Sequence, residues 1–244
     1  MKMKLYVYED CALCLRLRML IGLKQLACEV IMVAPGQWPP SLCQTLPTLK
    51  APRLMLSAET GERWIEPSAE IIAQLAEATD TPQLMESGED DSDAASRMVA
   101  LWCESNGALL DKLCLPRLAE RPLKAWQTPA GRAEWIERSE GRMGLTLSQA
   151  KALTPRWLDA LIPQLVPLED WLKIDALLAE TREVNAADLH AYAALRDLIL
   201  VSELALSERL LAYLDALARR SGVPLWSQHE AASTKRSELA LVDA

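Results

Sequence analysis

Apolar and polar positions in the first eighty residues follow two different periods in turn. The stretch from Met3 to Tyr8 alternates apolar and polar side chains, which is the period of a half-buried strand. The next stretch, from Leu13 to Leu26, places leucines at helical spacing among strong helix formers. The same criteria predict five further elements: strands over Cys28–Val33, Pro52–Ser57 and Glu62–Ile65, and helices over Pro39–Leu46 and Ser68–Ala78.

The predicted order of these elements is β-α-β-α-β-β-α. The first strand, helix and second strand form a parallel unit, and the last two strands form a hairpin. Such a sheet, with helices on both of its faces, is typical of a thioredoxin-like domain, which we assign to residues 1–79. The expected fold class is α/β for this domain, followed by an all-α domain.

The composition of the chain changes after this domain. Residues 80–93 end in a run of acidic residues, serine and glycine, which predicts a solvated acidic linker. Residues 94–226 show helical periodicity throughout, beginning with a long helix over Ala94–Leu115. Residues 227–244 are polar, and we expect them to form a flexible tail. The second half is therefore predicted to be an all-helical domain.

Capping residues and prolines divide this half into separate helices. Thr128 predicts the start of one helix, and Asn185 with Asp188 resembles a capping box at the start of another. Pro163 and Pro167 lie inside a third apolar repeat, where a missing N–H and a steric clash are expected to kink or break the helix.

The charge balance limits the possible partners. The chain of 244 residues has 34 acidic and 26 basic side chains, a formal net charge of −8, so phosphate attraction does not favour binding of nucleic acid. The basic start reaches Glu9 too soon for the apolar region of a signal peptide, and no apolar run approaches the ~20 residues of a membrane span. We expect a cytoplasmic protein.

Cys11 and Cys14 lie where the first predicted strand ends and the first helix begins. A cysteine at this position has its sulfur near unpaired backbone N–H groups and the positive end of the helix dipole, which favours the thiolate. A cysteine one helical turn later can attack a mixed disulfide formed on the first. The spacing therefore predicts Cys11 as an exposed nucleophile and Cys14 as its resolving thiol.

Charged neighbours act on Cys11 in opposite directions. Arg16 and Arg18 add positive potential near the helix start. Glu9 and Asp10 precede the cysteine and oppose its ionisation. We expect the helix terminus and the arginines to prevail, because N–H groups donate directly to the sulfur whereas the carboxylates can turn to solvent.

Two cysteines at this spacing are also half of a zinc site, but a second close pair of ligands is missing from the sequence. We therefore expect redox chemistry and no metal. The residues that we assign to packing are the other four cysteines and five tryptophans: Cys28, Cys43, Cys103, Cys114, Trp64, Trp102, Trp126, Trp135 and Trp157.

Two further features are compatible both with ligand binding and with a purely structural role. Pro52 begins a strand, where its missing N–H costs least; in a cis bond, the backbone of Ala51 would face an extended, peptide-like ligand. Ser68 precedes a helix, and a helix N-terminus with a hydroxyl can hold a carboxylate, but the same serine can simply cap its helix. The residues alone leave both alternatives open.

Taken in order, many stretches of the chain resemble the two-domain bacterial glutaredoxin 2 family. The resemblance covers most of residues 3–220. The matching stretches are Lys4-Leu5-Tyr6-Val7-Tyr8, Cys11-Ala12-Leu13-Cys14-Leu15, Ala51-Pro52, Pro67-Ser68, Asn106-Gly107, Leu115-Pro116-Arg117, Thr128-Pro129-Ala130 and Leu195-Arg196-Asp197-Leu198.

The resemblance implies a glutaredoxin domain joined to a helical domain like that of glutathione transferases. It implies reduction of glutathione mixed disulfides and protein disulfides with glutathione as the reductant, through Cys11 as nucleophile and Cys14 as resolving thiol. Pro52 would be the cis-proline of the family, and Ala51 would pair with the glutathione backbone. Ser68 would hold the γ-glutamyl carboxylate.

Arg16 and Glu66 complete the expected glutathione contacts. Arg16 contributes its charge at the helix start, and Glu66 stands one position before Pro67, which replaces the acidic residue of the family. The family has Pro-Tyr between its two cysteines, whereas this chain has Ala12-Leu13. This difference changes the redox potential and keeps the dithiol mechanism.

Two other functions are compatible with the same residues. A glutathione transferase would use Cys11 to activate glutathione and leave Cys14 idle, with the helical half supplying an apolar site. A non-catalytic module would bind glutathione or thiols in the same groove. Under the leading interpretation the partners are glutathione and glutathionylated or disulfide-bonded proteins, and the chain is a monomer.

Overall fold

The computed structural model describes residues 2–34, 38, 50–58, 61–65, 69–77 and 94–226. Its first part contains four strands and two helices within these residues: β1 (Lys2–Val7), α1 (Ala12–Leu23), β2 (Cys28–Met32), β3 (Arg53–Ala58), β4 (Gly61–Ile65) and α2 (Ala69–Glu77). Each of these elements lies within two residues of its predicted start and within three of its predicted end. The helix predicted over residues 39–46, the acidic linker and the polar tail lie outside the described residues.

The sheet has the strand order β2-β1-β3-β4. The central strand β1 pairs in parallel with β2 and antiparallel with β3, and β3 pairs antiparallel with β4. A parallel pair joined by a helix and followed by a hairpin is the predicted arrangement. The thioredoxin-like fold class is thereby confirmed for this part of the chain.

One face of the sheet carries the main core. Leu5, Leu54 and Ile65 point to this face and pack with the buried side of α1 and with Ile71 and Leu75 of α2. The opposite face holds a smaller apolar cluster of Tyr6, Val33, Trp38 and Met55. Alternation along the strands therefore places one set of side chains under α1 and the other on the far side of the sheet.

The second part is helical. Its helices are α3 (Ala94–Leu118), α4 (Pro129–Met143), α5 (Leu147–Ala152), α6 (Thr154–Trp171), α7 (Ile174–Leu178), α8 (Ala186–Leu195) and α9 (Glu208–Ser221), with 3-10 helices over Lys124–Gln127 and Arg196–Leu200. Residues 94–226 contain no strand. An all-helical second part is thereby confirmed for this range.

The predicted caps are present. The Thr128 hydroxyl accepts a hydrogen bond from the Gly131 N–H at 3.1 Å. Asn185 and Asp188 form the predicted capping box, with each side chain accepting from the other residue's backbone N–H. These contacts satisfy N–H groups that have no partner inside their own helices.

The predicted breaks at proline are wrong. Helix α6 is continuous through Pro163 and Pro167, and α3 continues through Pro116 to Leu118. In α6 the leucines on the other face, including Leu161, are buried, whereas Pro163 is exposed and Pro167 is half-buried. Packing of the apolar face therefore keeps the helix intact despite the missing N–H groups.

The two parts pack on each other through α1. Its buried residues share one apolar cluster with α8 and α9. Three tryptophans of the predicted core set are partly exposed but still pack on apolar clusters, and Trp102 and Trp135 are buried.

No helix among the described residues is long and apolar enough to cross a membrane.

Candidate active site

Cys11 is the N-cap residue of α1. Its backbone is extended, with φ −95° and ψ 115°, and its sulfur accepts a hydrogen bond from the Cys14 backbone N–H at 3.3 Å. The side chain is partly exposed. The strand-to-helix turn therefore aims the sulfur at N–H groups that the helix itself leaves unpaired, as the sequence predicts.

These contacts favour the thiolate of Cys11. Hydrogen bonding from the Cys14 thiol is the largest influence, and together with the N–H groups of Cys14 and Leu13 it lowers the pKa of Cys11 to about 7. Burial and the charge of Asp10 act in the opposite direction and are outweighed. The pKa is lowered as predicted, but the neighbouring thiol contributes more than the helix terminus, and Arg16 and Arg18 are not among the main causes.

Cys14 has the opposite environment. Its side chain is fully buried, and burial together with the hydrogen bond to Cys11 raises the pKa of its thiol. The two thiols of the pair therefore differ: that of Cys14 is buried and protonated, and that of Cys11 is partly exposed and has a lowered pKa. At neutral pH the thiolate is therefore favoured on Cys11 and disfavoured on Cys14.

The carboxylates before Cys11 do not turn to solvent, and that expectation is wrong. The Asp10 carboxylate accepts hydrogen bonds from Trp135 Nε1 at 2.8 Å and from a guanidinium nitrogen of Arg138 at 2.9 Å. The Glu9 carboxylate accepts from the Lys124 backbone N–H. The helical part of the chain supplies these donors. They lie more than a hundred residues from Glu9 and Asp10 in the chain, so no local sequence pattern predicts the contacts.

Cys11 opens onto a cleft of about 1170 Å³ between the two parts. One wall is formed by Tyr8, by residues around Cys11 and by Ala51. The facing wall comes from α3, α4 and α8, and it includes Cys103 and His190. A cleft of this size can hold a peptide-sized ligand against the sulfur of Cys11.

The arginines predicted near the helix start have different roles. Arg16 lines the cleft, and its guanidinium donates to His190 Nε2 at 2.7 Å. Burial lowers the pKa of His190 to about 4, with the charge of Arg16 as the second cause, so the imidazole is neutral at pH 7. Burial also lowers the pKa of Arg18 to about 10, and this arginine faces Arg196 and Glu9.

The remaining predicted contacts are only partly described. The Ala51–Pro52 peptide bond is cis, and Ala51 lines the cleft beside Cys11. Ser68 and Glu66 lie outside the described residues.

The three other cysteines that the structure describes have thiols of higher pKa than that of Cys11. Burial raises the pKa of Cys28 and of Cys103 to about 11, and it raises that of the buried Cys114 as well. Cys103 and Cys114 also line the cleft, whereas Cys43 lies outside the described residues. Among the side chains that the structure describes, no three of His, Cys, Asp or Glu are grouped so that they could hold a metal ion.

Sequence reasoning missed three residues near Cys11. It assigned Trp135 to the core, and it gave no role to Arg138 or to His190. Each reaches the site from a helix more than a hundred residues away in the chain. No local pattern in the sequence links these three residues to Cys11.

Comparison with known proteins agrees with this arrangement. Residues 98–230 match the family model of the glutaredoxin 2 C-terminal domain, and residues 5–83 match that of the glutathione S-transferase N-terminal domain. Glutaredoxin 2 of Escherichia coli strain K12 is 25% identical over 233 residues, which cover 92% of this chain and 98% of that protein.

Solved structures show the same fold. Glutaredoxin 2 from Salmonella typhimurium, solved in complex with glutathione, superposes with a TM-score of 0.71 at 21% identity, covering 93% of this chain and 97% of that one. FzlA from C. crescentus gives a TM-score of 0.57 at 18% identity, covering 91% and 89%. The family model of the glutaredoxin 2 C-terminal domain matches more than half of this chain, so the chain belongs to the glutaredoxin 2 family.

Proposed function

We propose that the chain is a glutathione-dependent thiol–disulfide oxidoreductase that reduces glutathione mixed disulfides and protein disulfides. One observation carries this proposal: the sulfur of Cys11, with a pKa of about 7, opens onto the cleft directly beside the buried thiol of Cys14. Membership of the glutaredoxin 2 family supports the same reaction and adds glutathione as the reductant.

The reaction proceeds by exchange of disulfide bonds. The Cys11 thiolate attacks one sulfur of the substrate disulfide, forms a mixed disulfide and releases the other sulfur as a thiolate, which takes up a proton. The Cys14 thiol loses its proton and attacks the Cys11 sulfur, which releases the reduced substrate and leaves a Cys11–Cys14 disulfide. That disulfide returns to two thiols as two glutathione molecules are oxidised to glutathione disulfide.

We propose Ala51, Pro52, Arg16, Ser68 and Glu66 as the glutathione contacts. The position of Ala51 and Arg16 on the cleft wall beside Cys11 supports two of them. The glutaredoxin 2 from Salmonella typhimurium, solved with glutathione, supports a glutathione site in this fold. The assignments of Pro52, Ser68 and Glu66 rest on the resemblance of their sequence positions.

We also propose the organisation and setting of the chain. Residues 1–79 form the glutaredoxin domain, 80–93 the linker and 94–226 the helical domain, and residues 227–244 are a polar tail. The protein acts as a cytoplasmic monomer on glutathionylated or disulfide-bonded proteins. Light scattering at micromolar concentration tests the monomer, and a dimer mass would contradict it.

Separate replacement of the two cysteines tests the reaction. We expect Cys11→Ser to abolish reduction of both substrate classes, because the attacking sulfur is lost. We expect Cys14→Ser to lose reduction of protein disulfides and to accumulate a mixed disulfide on Cys11, visible by mass spectrometry, while glutathione mixed disulfides are still reduced. Cys28→Ser is the matched control, and full activity of Cys11→Ser would refute the proposal.

A glutathione transferase is the second candidate. The match of residues 5–83 to the N-terminal domain of glutathione S-transferases and the cleft beside Cys11 favour it. Under this alternative, Cys14→Ser would leave all activities unchanged, and the protein would conjugate glutathione to an electrophile such as chlorodinitrobenzene. Conjugation without disulfide reduction would favour the transferase.

A further inference from the structure

The helical part of the chain holds the residue that immediately precedes Cys11. The side chain of Asp10 is only 8% exposed, and both of its hydrogen-bond donors, Trp135 and Arg138, belong to α4. The guanidinium of Arg138 also lies over the ring of Tyr8, 5.5 Å from its centroid. Asp10 is therefore the negative end of an ion pair that joins the two parts beside the reactive sulfur.

The neighbouring carboxylate is anchored in the same direction. Glu9 accepts from the backbone N–H of Lys124, which begins the 3-10 helix before α4. Two consecutive acidic residues thus bind to one short stretch of the helical part. The loop that carries them is fixed by that stretch, and Cys11 follows it directly.

The charge of Asp10 matters to Cys11 because the two residues are adjacent and the carboxylate itself is buried. Even beside Arg138, the Asp10 carboxylate opposes formation of a second negative charge on the sulfur, and without that cation its opposition would be larger. A guanidinium 2.9 Å from the same carboxylate offsets that charge. The net charge of the Asp10–Arg138 pair therefore affects how readily the sulfur of Cys11 loses its proton.

Other ionisable groups surround the sulfur from every element packed on the cleft. Cys14 and Arg16 belong to α1, and the other ionisable side chains that line the cleft are Tyr8, Glu9, Lys50, Arg97, Cys103, Glu104, Asp111, Cys114, Glu134, Arg142, His190, Arg196 and Asp197. His190 is neutral at pH 7, and Asp197 receives a hydrogen bond from Trp226 and lies 3.9 Å from Arg196. Each of these groups remains in place when the Asp10 pair is altered, so its contribution is common to all variants.

We propose that Arg138 is a positioning residue for the nucleophile: by pairing with Asp10 it offsets part of that carboxylate's opposition to thiolate formation at Cys11. The helical part of the chain thereby sets the reactivity of a cysteine that lies in the other part. The proposal rests on the proposed function, since it takes Cys11 as the nucleophile. It predicts that the two members of the ion pair act on Cys11 with opposite signs.

The test measures thiol reactivity and needs no turnover. The fully reduced chain is alkylated with iodoacetamide between pH 5 and pH 9.5, and the rate at the Cys11 peptide is followed by mass spectrometry. The variants are Arg138→Gln, Arg138→Lys, Asp10→Asn and the double variant Asp10→Asn/Arg138→Gln. The matched control is Arg142→Gln, which removes a cation from the same helix that pairs with Asp111 instead.

We expect Arg138→Gln to move the midpoint upward by about 1 pH unit, which lowers the alkylation rate at pH 7 about fivefold. Asp10→Asn moves the midpoint downward, because the charge of Arg138 is no longer offset. The double variant returns to within about 0.3 pH unit of the wild type, and Arg138→Lys and Arg142→Gln stay close to it. Thermal unfolding of each variant verifies that it is folded.

The two proposals fail in different ways. If Cys11 is not the first peptide alkylated in the wild type, the proposed function is contradicted. If Cys11 is first but Arg138→Gln titrates at the wild-type midpoint, or if both single variants shift in the same direction, only the role of Arg138 is overturned. Should Arg138→Gln not fold, the sign of the Asp10→Asn shift decides: a downward shift supports the proposal, and an unchanged midpoint overturns it.

Discussion

Gly22 in α1 lies against the backbone of Ser221 at the end of α9. A Cβ atom at position 22 would come 1.7 Å from the Ser221 carbonyl oxygen and 2.6 Å from its carbonyl carbon. Both contacts are with backbone, which cannot rotate away as a flexible side chain can. The absence of a side chain at position 22 therefore sets the distance between the two parts of the molecule.

Replacing Gly22 by alanine tests this contact. We expect Gly22→Ala to lower the free energy of unfolding by about 1–3 kcal/mol, the usual cost of overpacking, although alanine is the better helix former. Urea unfolding followed by circular dichroism gives the value. The matched control is Gly141→Ala, in the exposed face of α4, where a Cβ would meet nothing within 4 Å.

The control should have the opposite sign. Gly141→Ala removes a glycine from a helix interior without creating a clash, so the free energy of unfolding should rise by about 0.5–1 kcal/mol. Equal effects of the two substitutions would show that the contact with Ser221 does not limit packing.

Asp188 offers a second test of the helical part. Its fully buried carboxylate receives hydrogen bonds from Arg182 at 2.7 and 2.8 Å and from the Tyr213 hydroxyl at 2.7 Å. Asp188→Asn removes one charge of a buried pair, and we expect it to lower the free energy of unfolding by about 3–5 kcal/mol. Denaturant unfolding measures this loss.

An exposed ion pair provides the comparison for Asp188. Asp175 binds Arg209 at 2.8 Å, but its side chain is 77% exposed, so Asp175→Asn should change the free energy of unfolding by less than about 1 kcal/mol. Similar losses in the two variants would argue that burial does not determine the contribution of the Asp188 pair.

Local signals predicted most of the fold. The alternation before Tyr8 and the cap at Thr128 depend on neighbours a few residues away, and they placed their elements correctly. The prolines of α6 were misjudged because the packing that holds their helix comes from distant parts of the chain. Local propensity is a weak guide where tertiary contacts compete with it.

The candidate site divides in the same way. Cys11 and Cys14 are three residues apart, so helix geometry alone relates them. Asp10 and Arg138 are 128 residues apart, and neither a helical nor a strand period links such positions. Pairings of this length depend on how the helical part docks, which the sequence pattern does not specify.

The reactivity of the cysteines is a third prediction. Because the pKa of Cys11 is lowered to about 7 while burial raises those of Cys28 and Cys103 to about 11, brief alkylation at pH 7 should label Cys11 first. Peptide mapping by mass spectrometry identifies the labelled residue. The rate should rise through a midpoint near pH 7, and a midpoint at the free-cysteine value of about 8.5 would contradict the thiolate assignment.

Arg16 provides a prediction on ligand binding. Its guanidinium donates to the neutral His190 through one nitrogen, and its other donors can bind a carboxylate in the cleft. We expect Arg16→Gln to raise the KM for glutathione about tenfold or more. Steady-state reduction of a glutathione mixed disulfide measures it, with Arg209→Gln, an arginine outside the cleft, as control. An unchanged KM would remove Arg16 from the glutathione contacts.

The pH dependence of stability follows from His190. The pKa of its imidazole is lowered to about 4, chiefly by burial and further by the charge of Arg16, from an ordinary value near 6.5. Above pH 6.5 the imidazole is neutral in both the folded and the unfolded chain and adds no pH dependence. Between pH 6.5 and pH 4 the imidazole is protonated in the unfolded chain but not in the folded chain, so the free energy of unfolding falls as the pH is lowered.

His190→Gln should remove this loss, because glutamine does not titrate. We therefore expect the urea midpoint of the wild type to fall more than that of His190→Gln as the pH is lowered from 7 to 4. Other groups titrate equally in both proteins and cancel in the comparison. If the two midpoints change in parallel over this range, His190 titrates in the folded chain with an ordinary pKa. Its assignment as a neutral partner of Arg16 at low pH would then be wrong.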